Sequence, residues 1–213
     1  MRKKSKSPAV NKANKDPSLA LSLEAVLVLF RAEPTVTLAQ VAHAVDLSGA
    51  SEPEFSSRYP STADWLAAFL KHHEPTFAFE AAIAAVEGDD AADLLRDAMR
   101  RMIELTSRHM AYFELALIEA DVYHGNTLNT LTGRILPAAN VLLQRVKETN
   151  QLRPLPDWLI ARALIALLIG FVASERAMPS GVKFAARLMP QRMWVDSLTD
   201  ILLYGLIEDD ARG

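Results

Sequence analysis

The sequence predicts an all-α protein: a three-helix, helix-turn-helix module near the N-terminus followed by a larger helical body, about nine helices in all. Three observations carry this. Apolar residues recur at three- and four-residue spacing from Leu19 almost to the C-terminus, the period of one face of a helix. Helix-start signals stand before several of these runs, in which Ser, Thr or Asp precedes a proline or an acidic or amide residue in the first turn. Strand signals do not recur, and only eight glycines serve 213 positions.

Composition sets the outer limits. At 213 residues the chain lies between one domain and two, since a domain spans roughly 100 to 200 residues. Half of its residues are apolar against 23% charged, which excludes a disordered or fibrous protein. With no cysteine, a disulfide framework, a zinc–thiolate site and a cysteine nucleophile are excluded, and a reducing cytoplasm is the expected home. The longest apolar run, Ala163 to Ala173, is flanked by Arg162 and Glu175 and falls short of the roughly 18 to 20 residues that a bilayer-spanning helix needs. It reads as a buried helix, and no membrane partner is expected. The basic N-terminus is not followed by an apolar stretch with a cleavage site, so it is not a secretory signal.

Net charge is −3 but unevenly placed: Arg2, Lys3, Lys4, Lys6, Lys12 and Lys15 all precede the first acidic residue, Asp16. Residues 1–16 therefore read as a disordered basic arm, either a solubilising tail or a phosphate-binding attachment. Asp16 and Pro17 then start a first amphipathic helix carrying Leu19, Leu23, Val26, Leu27 and Phe30 and ending before Pro34. Thr37 opens the second, with Gln40 three residues on to complete a capping box. Ser51 and Glu54 form another box around Pro53, so a short third helix is expected from Glu52 to about Arg58. Ser61 caps a fourth, carrying Trp65, Leu66, Phe69 and Leu70.

Three short helices with a tight polar link between the second and third are the arrangement that sets one helix in a DNA major groove; a capped piece of an unrelated bundle has the same pattern. Residues 17–73 form this module and 74–213 the body. In the body, helices are expected at roughly Phe77–Val86, Ala91–Ser107, Met110–Tyr123, Leu128–Asn150, Asp157–Met178 and Gln191–Glu208, with Pro137 bending the fourth of them.

The run VLFRAEPTVTLAQVAHAVDLS, followed by FSSRYPSTADWLAAFL, resembles the DNA-binding region of the TetR family of bacterial repressors. Leu29 and Phe30 match the end of that family's first helix, Thr37 and Leu38 the start of its second, and Val41 and Ala42 its Ile-Ala pair. Val45, Asp46, Leu47 and Ser48 occupy the turn, and Phe55, Tyr59, Ser61 and Leu66 follow in the family's order. The resemblance implies a homodimeric regulator of transcription that binds double-stranded operator DNA and is released by a small apolar effector. The contacts it implies are Thr37, Ser48, Ser51, Ser57, Arg58, Tyr59 and Thr62, with Lys3, Lys4 and Lys6 of the arm on phosphates.

This chain departs from the pattern where charge matters. Glu52, Pro53 and Glu54 open the recognition helix, and Ser56 and Thr62 stand where the family has a phosphate-contacting tyrosine and lysine. From Pro17 to His73 the cations are Arg31, Arg58 and Lys71, against Glu24, Glu33, Asp46, Glu52, Glu54 and Asp64. A second reading is thus a helical ligand-binding or interaction protein of the same fold that has lost specific DNA recognition.

In the body, Met99, Met102, Ile103, Met110, Phe113 and Leu117 read by spacing as core or as an adaptable apolar pocket, with Asn140, Arg162, Glu175 and Arg176 as polar groups at a pocket or a seam. The resemblance, whose members hold effectors inside the helical body, brings the pocket reading nearer to even with the core reading. Leu164, Leu168, Phe171, Trp194, Leu198, Ile201, Leu202 and Gly205 recur on faces of the last two helices, which the family uses for dimerisation. No phosphate loop, nucleophile elbow or metal-protease motif occurs, so no enzyme activity, metal or cofactor is expected. Adjacent His72 and His73 point about 100° apart on a helix, and Glu114, Glu119, Asp121 and His124 do not share one face.

Overall fold

The computed structural model describes residues 16–33, 35–46, 52–179 and 191–206. Among these the chain is helical throughout, with ten α-helices, one short 3-10 turn and no strand element. It divides into two compact units, one through His72 and the other from His73 onward.

The first unit begins with the 3-10 turn Pro17–Ala20, followed by α1 (Leu23–Ala32), α2 (Leu38–Asp46), α3 (Glu52–Arg58) and α4 (Thr62–His72). The single first helix expected from sequence is thus two pieces. Asp16 caps only the 3-10 turn, Leu21 is extended, and Ser22 caps α1 by accepting from the Ala25 N–H at 3.2 Å. The leucine spacing suits both pieces, which hid the break. The Thr37–Gln40 capping box forms as expected: the Thr37 N–H donates to Gln40 Oε1 at 2.7 Å and the Gln40 N–H to Thr37 Oγ1 at 3.3 Å. Ser61 caps α4 by accepting from the Asp64 N–H. The inward faces meet in an aromatic core, in which Phe30 stacks on Trp65 at 6.4 Å and Trp65 on Phe69 at 5.1 Å, while Phe55 closes from the side.

The second unit comprises α5 (Thr76–Ala84), α6 (Ala91–Arg108), α7 (Met110–Val122), α8 (Thr127–Glu148), α9 (Asp157–Ala177) and α10 (Gln191–Leu206). Asp90 caps α6 through the Asp93 N–H, and α6 then packs against α5, α8, α9 and α10 at the centre of the unit. Ion pairs from Arg96 to Asp200 (3.2 Å) and from Arg100 to Asp196 (3.0 Å) flank the α6–α10 contact. Helix α8 continues through Pro137 and ends at Glu148, and Asn150, two residues on, has a φ of 56°, the left-handed conformation that asparagine tolerates.

Glu119, only 2% exposed, sits under the α7–α8 turn, where its Oε2 accepts the Thr127 N–H at 3.2 Å and so caps α8. The chain wraps this carboxylate closely enough that a Cβ at Gly125 would lie 2.0 Å from Glu119 Cδ. Helix packing and this cap account for a buried acid that resembled part of a ligand cluster in sequence.

The expectation that 163–173 is a buried helix fails. Helix α9 is long and apolar enough to cross a membrane by length and composition, yet only 17% of its most apolar stretch is buried. Its inward positions pack in the body, whereas Trp158 and the small residues Ala166, Gly170 and Ala173 face outward and Ile169 is exposed at the edge of the body cavity.

Candidate functional site

Each unit contains one candidate site. In the first, the Thr37–Gln40 box, the Ser61 cap and the aromatic core position α2, α3 and α4. The expected contacts Lys3, Lys4, Lys6, Ser48 and Ser51 lie outside the described residues. Thr37, at the start of α2, and Ser57, on α3, are exposed. Two others turn inward, contrary to expectation. Tyr59 is 7% exposed and its ring packs on Phe55 at 5.3 Å, while Thr62 is buried as α4 leaves Ser61. The alternation that brings Phe55 and Trp65 into the core brings these two with them.

Arg58 stays at the surface, but Asp16 engages it. The Asp16 Oδ2 lies 2.6 Å from Arg58 Nη1 and accepts from the Tyr59 hydroxyl at 2.6 Å, while Oδ1 accepts the Ser18 N–H at 2.9 Å. Partial burial works against the charge on Asp16, but these donors outweigh it and hold the carboxyl at about 2, below its ordinary 3.8. Burial and the adjacent Asp16 charge push the Tyr59 hydroxyl up. This clasp fixes the residue next to the basic arm against the C-terminal end of α3. Sequence reading missed it because its partners are 43 positions apart.

The second candidate is a cavity of about 160 Å³ in the body, lined by α5 to α9. It takes in Met99, Met102, Phe113, Leu117 and Asn140 among the residues expected at a pocket. Ile103 and Met110 instead pack beside it in a cluster with Phe171, Val172 and Val195, and Glu175 is outside its lining. Most of the opposite wall comes from α8 and α9, through Leu131, Ile135, Ala139, Ala161 and Ile165, none of which was singled out in sequence.

The residues expected at a subunit seam also divide. Leu164 and Leu168 line the cavity, Phe171 is buried, and Leu202 packs on the core, so these four serve the interior of one chain. Leu198 is half-buried and Ile201 is 71% exposed; the surroundings of Trp194 and Gly205 lie outside what is described. The apolar surface that α9 and α10 leave open consists of Trp158, Ile169, Met193, Ile201 and Tyr204.

The fold is that of a TetR family transcription regulator from Marinobacter aquaeolei VT8, with a TM-score of 0.61 and 12% identity over 91% of this chain and 97% of that one. A second solved structure, the TetR-like transcriptional regulator LfrR from Mycobacterium smegmatis in complex with proflavine, aligns with a TM-score of 0.47 and 21% identity over 90% and 95%. No protein-family model and no curated protein matches the chain. The class is therefore set by architecture: an all-α chain with a helix-turn-helix unit and a helical body, in the fold of the TetR-type regulators.

Proposed function

We propose that this chain is a cytoplasmic bacterial transcriptional regulator, a repressor that binds operator DNA as a homodimer and is released by a small apolar ligand in the body. It has no catalytic role. The observation that carries the reading is the pairing, in one chain, of a capped helix-turn-helix unit with an apolar cavity in a separate helical unit. The arm lysines Lys3, Lys4 and Lys6 supply phosphate attraction that the acidic module lacks, with Thr37 before α2, Ser57 on α3, and Ser48 and Ser51 in the sequence between these helices as the candidate contacts. A ligand acts only by favouring one of two states that differ in DNA affinity.

The open face of α9 and α10 supports a self-mated seam. Arg162 lies in the same outward stripe as Trp158 and Ala166, a mixed aromatic, small and charged face that a second copy can pair. Gel-shift titration at low salt against DNA flanking the chain's own gene tests the central claim. Retarded complexes that dissolve as ligand is added are expected, and no binding to any flanking DNA overturns it. A second reading, a ligand-binding protein without specific DNA recognition, is favoured by the inward Tyr59 and Thr62 and the acidic module. It predicts ligand binding with no retarded complex.

A further inference from the structure

Among the described residues, no charged side chain lines the body cavity, and only Thr106, Thr132 and Asn140 are polar there. Asn140 is exposed and Thr132 is partly so, which leaves Thr106 on α6 as the one deep polar group. Thr106 is 1% exposed, and its hydroxyl has no hydrogen-bond partner. A helical Ser or Thr normally donates to a carbonyl one turn back, as Ser107 does to Ile103 at 2.8 Å and Thr199 to Val195 at 2.8 Å. Thr106 does not. An ordered water is a poor substitute here, because a buried water needs about two to four polar partners and this wall offers one.

Size and charge narrow the occupant further. The cavity measures about 160 Å³, and an apolar cavity of about 150 Å³ holds one benzene ring. An ionised group entering this lining would lose its hydration without gaining a counter-charge. We propose that the cavity takes an uncharged, single-ring-sized molecule with a hydrocarbon body and one hydroxyl or carbonyl group, and that the Thr106 hydroxyl is the hydrogen-bond partner of that group. This deepens the reading of the cavity as the effector site and rests on it.

Isothermal titration calorimetry of the full chain at neutral pH, with p-cresol, toluene, benzoate and benzylamine as probes, tests the proposal. p-Cresol is expected to bind about five- to tenfold more tightly than toluene, the ratio of one net hydrogen bond, with no measurable binding of benzoate or protonated benzylamine. Thr106→Val should bring p-cresol down to the toluene affinity and leave toluene unchanged, whereas Thr106→Ser should keep the preference. Equal binding of benzoate and p-cresol, no binding of either neutral ring, or a p-cresol preference that survives Thr106→Val each overturns it. If Thr106→Val does not fold by circular dichroism, the ordering of the four probes on the unmodified chain decides. Release of DNA is read separately. Thr106-dependent p-cresol binding without release upholds the ligand class and defeats the regulator, while release by a compound bound elsewhere does the reverse.

Discussion

The Asp16 carboxylate and the Tyr59 hydroxyl lie 2.6 Å apart, and Arg58 reaches the same carboxylate oxygen. One acid therefore ties the residue beside the basic arm to the end of α3. Its folded pKa of about 2 lies below the ordinary 3.8, so its stabilisation is complete above about pH 4 and is lost as pH falls through 2. Asp16→Asn should destabilise the first unit by about 1 to 2 kcal/mol near neutrality, allowing for solvent around the half-exposed Arg58. The gap to the unmodified chain should close between pH 4 and pH 2. Trp65 fluorescence during thermal melting, in a W158F, W194F background, measures it, and a gap independent of pH would show the clasp to be energetically idle.

Truncation of Met1 to Lys15 should weaken binding to all DNA sequences alike. The slope of log affinity against log salt should fall by roughly 0.9 for each phosphate that the arm no longer neutralises, and sequence preference should survive. Fluorescence anisotropy at several salt concentrations reads both quantities. An unchanged slope would make the arm a solubilising tail.

Gly125→Ala should cost about 2 kcal/mol or more, because the added methyl meets the buried Glu119 side chain and the turn has to give way. Glu119→Gln keeps an acceptor for the Thr127 N–H and should cost less than Glu119→Ala, which removes the cap and leaves a void. Thermal melts of the three variants rank them. A harmless Gly125→Ala would mean that the turn is looser than it looks.

Ile201→Glu should abolish self-association without unfolding the chain, since this side chain is 71% exposed in one copy. Leu198→Glu, at a half-buried position, should lower stability as well. Sedimentation velocity with a parallel melt separates the two effects. A dimer unaffected by Ile201→Glu would move the seam elsewhere.

Legibility in the sequence followed the range of the interactions. The Thr37–Gln40 box and the Ser61 cap involve residues three apart, and both stand where the sequence puts them. The break at Leu21 was hidden because Leu19 and Leu23 suit either one helix or two. In α9, apolar residues surround the axis, so no period told Leu164 and Leu168, which face the cavity, from Trp158, which is exposed. The cavity wall from α8 and the Asp16 clasp depend on pairings across tens of residues, which local spacing does not encode.

Met99 lines the cavity and also belongs to the buried cluster that contains Val195 of α10. Between the space offered to a ligand and the helix that carries Ile201 and Tyr204, there is a partition about one side chain thick. Interiors packed to this density do not absorb displacement gradually. In the proposed regulator, filling the cavity and pairing two chains would be events on opposite sides of a shared wall, and coupling between them would run both ways. A chain held as a monomer should take up its ligand with altered affinity, to the same degree that the ligand alters pairing.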